Sequence, residues 1–241
     1  MVFSADGAQF DQACLNVTIA QTEVPIVYED DSVIIVNKPA GLLSQPGKLI
    51  SDSVVSRIEF AYKGVCDPTL VHRLDMDTSG LLILAKDRSS HRNLQQQFEH
   101  RKIGKRYRAV LENSVEGLGG RIHLPLRLDI DNRPSQIVCY QFGKPSTTVW
   151  HKDPAALGNS LVLYPLTGRS HQLRVHLADP DGLGVSIKGD RLYGDASHVE
   201  PESRMLLHAD FIAFDHPVTG ERLSIHCPAP FLEYSLVGNS A

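Results

Sequence analysis

The chain has 241 residues, of which 42% are hydrophobic and 22% charged, with a formal net charge of −4. That composition excludes a disordered chain and is ample for the core of one larger domain or two lobes. No apolar run approaches the ~20 residues of a membrane span, and a net acidic chain can bind nucleic acid only through a local gathering of positive charge.

Residues 1 to 23 lack clear periodicity and read as an N-terminal tail or extra edge segment. Met1 to Ala20 has neither Lys nor Arg, so no secretory or transit signal is expected. Val24 to Tyr28 and Ser32 to Asn37 read as strands around the turn Glu29-Asp30-Asp31. Lys38-Pro39-Ala40-Gly41 ends the second strand. Ser51 to Tyr62 reads as a helix, because Val54, Val55, Ile58 and Tyr62 share a face. The apolar run Leu81 to Ala85 is of strand length. Asp87 and Ser89 offer N-caps for a helix from Ser90 to about Arg101.

Further short strands are expected at Arg106 to Leu111, Arg121 to Leu124, Ser135 to Tyr140, Thr147 to His151 and Ser160 to Tyr164. A helix over Ser170 to Leu177 carries Leu173 and Leu177 inward, and Met205 to Phe214 and Arg222 to Ile225 complete the strands. Many strands with few helices imply an α+β fold: a mixed, mostly antiparallel central sheet with flanking helices. Cys14, Cys66, Cys139 and Cys227 are scattered without C-x-x-C spacing, which fits free thiols in a reducing cytoplasm.

Positive charge does gather at Arg101, Lys102, Lys105, Arg106 and Arg108, with Arg88 and Arg92 upstream. The most informative stretch is His72-Arg73-Leu74-Asp75-Met76-Asp77-Thr78-Ser79-Gly80, a polar, Gly-ended loop running into the apolar strand. Functional groups tend to sit on such loops. On chemistry alone, a structural ion pair between Asp75 and Arg73 is the plainer reading.

The loop resembles the H-R-L-D-x-x-T-S-G signature of the RluA-type pseudouridine synthases. Three segments agree with that family in order: Val33 to Gly41 with V-x-N-K-P-x-G, Lys105 to Ala109 with K-x-Y-x-A, and Leu166 to His176 with T-G-R-x-H-Q-L-R-x-H. Gly189 to Gly194 and Leu206 to Ala209 are weaker echoes. Asn132-Arg133-Pro134, Val138-Cys139-Tyr140 and Gly143-Lys144-Pro145 resemble the branch that modifies both tRNA and large-subunit rRNA. The resemblance runs from about residue 24 to the C-terminus. It implies one catalytic domain over 24–241 with a central active-site cleft, and no S4 RNA-binding domain before it. Asp77 is a departure, a second carboxylate at a variable position of the motif. Gly184 to Lys188 is less apolar than the family's usual approach to its G-D-x-L-Y-G segment.

The implied reaction isomerises uridine to pseudouridine in structured RNA, in a tRNA anticodon loop and in 23S rRNA. It breaks the C1′–N1 bond and joins C1′ to C5, with no cofactor and no metal. By resemblance Asp75 is the catalytic carboxylate, Arg169 its cationic partner at a helix start, and Tyr107 the ring that stacks on the uracil. Arg73 fills the gap left by the flipped nucleotide. Lys105 and Arg106 place phosphate contacts beside Tyr107, and Leu207 lines the base site. Asn37 and Lys38 support the Asp75 loop. The plainer readings are a surface arginine, a core aromatic and a core leucine. The expected partner is RNA, the state monomeric and the compartment cytoplasmic.

Four other readings compete. A synthase of the same group acting on rRNA alone, and a non-catalytic RNA-binding module, remain open. A metal-dependent hydrolase would use His208, Asp210, Asp215, His216 and His226, whose spacing fits no standard zinc site. A glycosidase expects two carboxylates across the bond, and Asp75 and Asp77 are only two residues apart.

Overall fold

The computed structural model describes residues 24–154, 156, 158–195 and 203–232. The expected N-terminal tail lies outside the described residues. The chain forms two compact units: among the described residues, 24–105 with 209–228, and 106–208 with 229–232.

In the first unit β1 (Ile26–Glu29) and β2 (Val33–Lys38) form a hairpin. Asp30 closes its turn: Oδ1 accepts from the amides of Ser32 and Val33, and Oδ2 accepts from the Tyr28 hydroxyl. β2 then pairs antiparallel with β4 (Ser79–Ala85), from Val33 opposite Ala85 to Lys38 opposite Gly80. Every residue of β4 is buried, as expected of a continuous apolar run covered on both faces. Beyond β4 lies β10 (Leu207–Asp215), which pairs antiparallel with β11 (Arg222–His226). Gly80 has φ +113°, and a Cβ there would overlap the Ala209 backbone, so this close strand approach requires glycine.

Two helices complete the unit. α1 (Val54–Ala61) begins with a capping box between Ser53 and Ser56. α2 (Arg88–Glu99) is capped by Asp87, whose carboxylate accepts from the amides of Ser89 and Ser90. The core gathers Val33, Ile35, Leu81, Ile83, Leu94, Ile212 and Phe214.

The second unit is an antiparallel array in the order β5 (Gly104–Val110), β9 (Ser160–Pro165), β8 (Lys144–Lys152), β6 (Gly119–Leu128), β7 (Gln136–Val138). α3 (Gln172–Ala178) buries Leu173, Val175 and Leu177 in its core, with Leu124, Trp150, Leu163 and Leu207. The described pairings between named strands are all antiparallel, and one isolated parallel bridge joins Leu43 and Ser53. The fold class is the α+β one expected.

Three elements differ from expectation. A two-residue strand, β3 (Thr69–Leu70), pairs with β4 although its sequence carries no periodicity to reveal it. β6 runs ten residues rather than four, straight through Pro125, which sits opposite Pro145. α3 starts at Gln172, not Ser170, because His171 before it adopts left-handed backbone (φ 51°) and breaks the helical run.

Candidate active site

In the first unit the loop over residues 71–78 is braced from inside. Lys38 is fully buried, and its Nζ donates to the carbonyls of Pro39 (2.9 Å), Leu42 (2.6 Å) and Met76 (2.8 Å). One ammonium thus ties the loop after β2 to the residue following Asp75. The amide of Gly41 also donates to the Met76 carbonyl, and Gly41 reaches this geometry with φ +82°. Ser44 adds a reciprocal pair, donating to the Leu74 carbonyl (2.7 Å) and accepting from the Leu74 amide (3.0 Å). The Thr78 amide donates to the Asp75 carbonyl, closing a turn around the carboxylate-bearing residue. Asp75 emerges half-buried and Arg73 exposed, on a backbone fixed on both sides. The structural support expected of Lys38 is therefore present as direct hydrogen bonds.

The other end of the loop is held by His72. Thr69, Leu70 and Val71 align with β4, and the next amide of β4, Ile83, donates to the Nε2 of the His72 ring (3.2 Å). The imidazole takes over where backbone carbonyls leave off. Because an amide can only donate, Nε2 is bare and the neutral ring carries its proton on Nδ1. Burial pushes the His72 pKa down to about 3, and the nearby Lys105 charge pushes the same way. The ring stacks at 4.8 Å on Phe98, and the Lys105 ammonium lies 5.9 Å from the same Phe98 ring.

In the second unit the candidate residues sit on β5 and on the turn before α3. Arg106 and Tyr107 are half-buried on β5, and Tyr107 packs against the core cluster that contains Leu207. Leu207 is itself a buried core residue. Arg108 of the basic segment is committed to structure, paired with the buried Asp153, and is no part of a solvated basic face.

The turn carrying Arg169 is organised by Gln172. Its Oε1 accepts from the Arg169 amide (3.0 Å) and from the Thr167 hydroxyl (2.7 Å), and its Nε2 donates to the Thr147 carbonyl (3.0 Å). The Arg169 side chain is exposed, with Nε 3.4 Å from the Pro145 carbonyl. The expected placing of Arg169 immediately at a helix start is corrected: two residues, Ser170 and His171, lie between it and Gln172, and its amide is already bonded to a side chain.

Sequence reading missed the partner of Arg174. That guanidinium makes a bidentate pair with Asp190 (2.7 and 2.6 Å), and both side chains are almost fully buried. Tyr193 stacks over Arg174 at 5.1 Å, accepts from the Gln136 amide and bonds the His171 ring. The Gly189 to Gly194 segment is thereby fastened to the Thr167 to His176 segment.

Three of the residues considered for a metal have other partners. Asp215 pairs with Arg222, His216 with Asp30, and His226 packs on Phe211. Among the described residues no group of three or more His, Cys, Asp or Glu could hold a metal ion. Nor is any described helix long and apolar enough to cross a membrane.

The chain carries a polar loop presenting one carboxylate at the end of a buried strand, and a separate strand bearing a tyrosine and a basic pair, and it is similar to known proteins. Residues 32–179 match the family model described as RNA pseudouridylate synthase, and the chain belongs to that family. It is accordingly an isomerase acting on RNA. Among curated relatives, it is 42% identical over 210 residues to the dual-specificity RNA pseudouridine synthase RluA of Escherichia coli strain K12, covering 86% of this chain and 93% of that one. The RluA of Pasteurella multocida strain Pm70 is 41% identical over the same coverage. That of Vibrio parahaemolyticus is 42% identical over 214 residues, 86% of this chain and 83% of the relative. Among solved structures, human RNA pseudouridylate synthase domain containing 1 superposes with a TM-score of 0.73 at 27% identity, covering 88% of this chain and 85% of that one.

Proposed function

We propose that this enzyme is a dual-specificity synthase, isomerising a uridine in a tRNA anticodon loop and one in 23S rRNA, with Asp75 as the catalytic carboxylate. The observation that carries the assignment of Asp75 is the bracing of its loop. Lys38, Gly41 and Ser44 fix the residues on either side of Asp75, while the carboxylate itself stays half-exposed. Pre-organisation of this kind serves chemistry better than solubility. The shared dual-specificity name of relatives at 41–42% identity supports the substrate pair.

Asp75 adds to the substrate or abstracts a sugar proton. In either route the C1′–N1 bond breaks, the base turns, and C1′ joins C5. The C5 hydrogen leaves as a proton to solvent and N1 takes one up. Arg169 acts as the cationic partner of the carboxylate, and Tyr107 as the ring that stacks on the base. Arg73 takes the place of the flipped nucleotide, Lys105 and Arg106 hold phosphates, and Leu207 borders the base from the core side. The enzyme works as a cytoplasmic monomer, over one catalytic domain spanning 24–241, without metal or cofactor.

The test uses tRNA and 23S rRNA transcripts tritiated at uracil C5, with EDTA present. Wild type releases tritium from both. Asp75→Asn releases none, a loss of at least about 10⁴-fold if the carboxylate forms or breaks a covalent bond, while its thermal melting is unchanged. Release from rRNA alone reduces the proposal to the single-substrate reading. Full activity in Asp75→Asn overturns the assignment.

A further inference from the structure

Lys105 is an anomaly. Its side chain is half-buried, and that burial lowers its pKa. Its side chain makes no hydrogen bond or ion pair with any described residue; its neighbours are the rings of Phe98 and His72. An ammonium partly withdrawn from water favours an anionic partner. A cation–π contact at this range is a weak substitute for one. The ammonium therefore keeps its capacity for an anion.

His72 supplies the second half. Its Nε2 is occupied by the Ile83 amide, so its proton sits on Nδ1, and Nδ1 has no partner among the described residues. The ring stacks on the same Phe98 that carries Lys105. One charged donor and one neutral donor thus contact a single aromatic ring, and neither is bonded to an acceptor among the described residues. A base edge presents donors and acceptors together. A phosphodiester presents acceptor oxygens and a charge.

We propose that Lys105 and His72 form a site for one backbone phosphate of the bound RNA, next to the loop that carries Arg73 and Asp75. The proposal rests on the reading of the chain as an RNA-modifying enzyme, and goes beyond it by naming His72 as a ligand-binding residue and its partner group as a phosphate. Lys105 gives the charge and His72 the direction. His72 sits one residue from Arg73, so holding this phosphate sets the strand position from which a nucleotide is turned out.

The experiment measures two quantities on the full chain carrying Lys105→Gln. Thermal melting of the free protein should not fall, because the variant removes no hydrogen bond or ion pair to a described residue. Binding of a tRNA anticodon stem–loop transcript, in an Asp75→Asn background, should weaken, and the slope of log Kd against log salt should fall by about one. Lys105→Arg should keep the slope. His72→Gln, which keeps an acceptor for Ile83, should weaken binding several-fold without changing the slope, because it removes a neutral donor. An unchanged slope and Kd in Lys105→Gln, or a fall in its melting temperature, overturns the proposal. Inorganic phosphate relieving the effect without RNA binding being altered assigns the site to the free anion and also overturns it. Tritium release by wild type is scored separately: release with an unchanged slope removes this site alone, and a reduced slope without release removes the reaction alone.

Discussion

The two units bury a cation in contrasting ways. In the first, Lys38 spends its three donors on backbone carbonyls, those of Pro39, Leu42 and Met76. In the second, Arg174 spends two of its donors on one carboxylate, Asp190. An ammonium is a compact point charge with rotatable donors, suited to collecting carbonyls from separate turns. A guanidinium is a rigid fork that matches a carboxylate. Lys38 therefore shapes a loop's backbone, whereas Arg174 staples one side chain motif to another. The first arrangement serves the geometry around Asp75, and the second serves the integrity of the unit.

The largest effect that can test this contrast is at Asp190. Asp190→Ala strands a buried guanidinium and should cost about 3–5 kcal/mol, read as a lower urea midpoint. The double variant Arg174→Met with Asp190→Leu should recover most of that loss, because a buried ion pair is often replaceable by well-packed apolar groups. No such rescue should exist for Lys38. Lys38→Met leaves three carbonyls without their donor and should lower stability by about 2–3 kcal/mol. It should also cut kcat more than KM, since the loop it holds carries Asp75.

Acid should weaken both units through their buried histidines. His72 is held down to about 3 by burial and Lys105, and His176 to about 4, chiefly by burial. Both are neutral when folded and gain a proton on unfolding below their ordinary pKa of 6.5. Their contribution is intact above pH 6.5 and is lost as pH falls toward 4 and 3, at up to about 1.4 kcal/mol per pH unit for each group. Urea midpoints at pH 7 and pH 5 should differ accordingly, and His176→Phe should shallow the dependence. The smallest effect is at a helix cap: Ser53→Ala removes a capping-box hydroxyl and should cost about 1 kcal/mol, with no change in activity.

Much of the scaffold was legible where local chemistry and tertiary need agree. Leu81 to Ala85 announced a strand, and Asp87 offered the N-cap that starts α2. Legibility failed where a long-range partner overrides local preference. Pro125 hides the middle of β6, because proline normally ends a strand, yet here its carbonyl accepts from Cys139 and it faces another proline across the ladder. β3 exists only because β4 and the His72 ring extend its ladder. Asp75 was legible through its motif. The device that positions it was legible only in part: Lys38 was foreseen as a support, whereas Ser44 and the tautomer of His72 depend on contacts that sequence spacing does not reveal.

The approach of Gly80 to Ala209 bears on how variants of this enzyme should be classified. A functional screen would score positions 75 and 80 as equally intolerant, and a naive reading would place both in the catalytic apparatus. On the proposed role of Asp75 the reasons differ: a change there should leave an abundant, inert protein, whereas any side chain at Gly80 should drive two strands apart and deplete the protein itself. Measuring abundance beside activity sorts the two, and marks position 80 as a requirement of the scaffold that would persist after the chemistry had been lost.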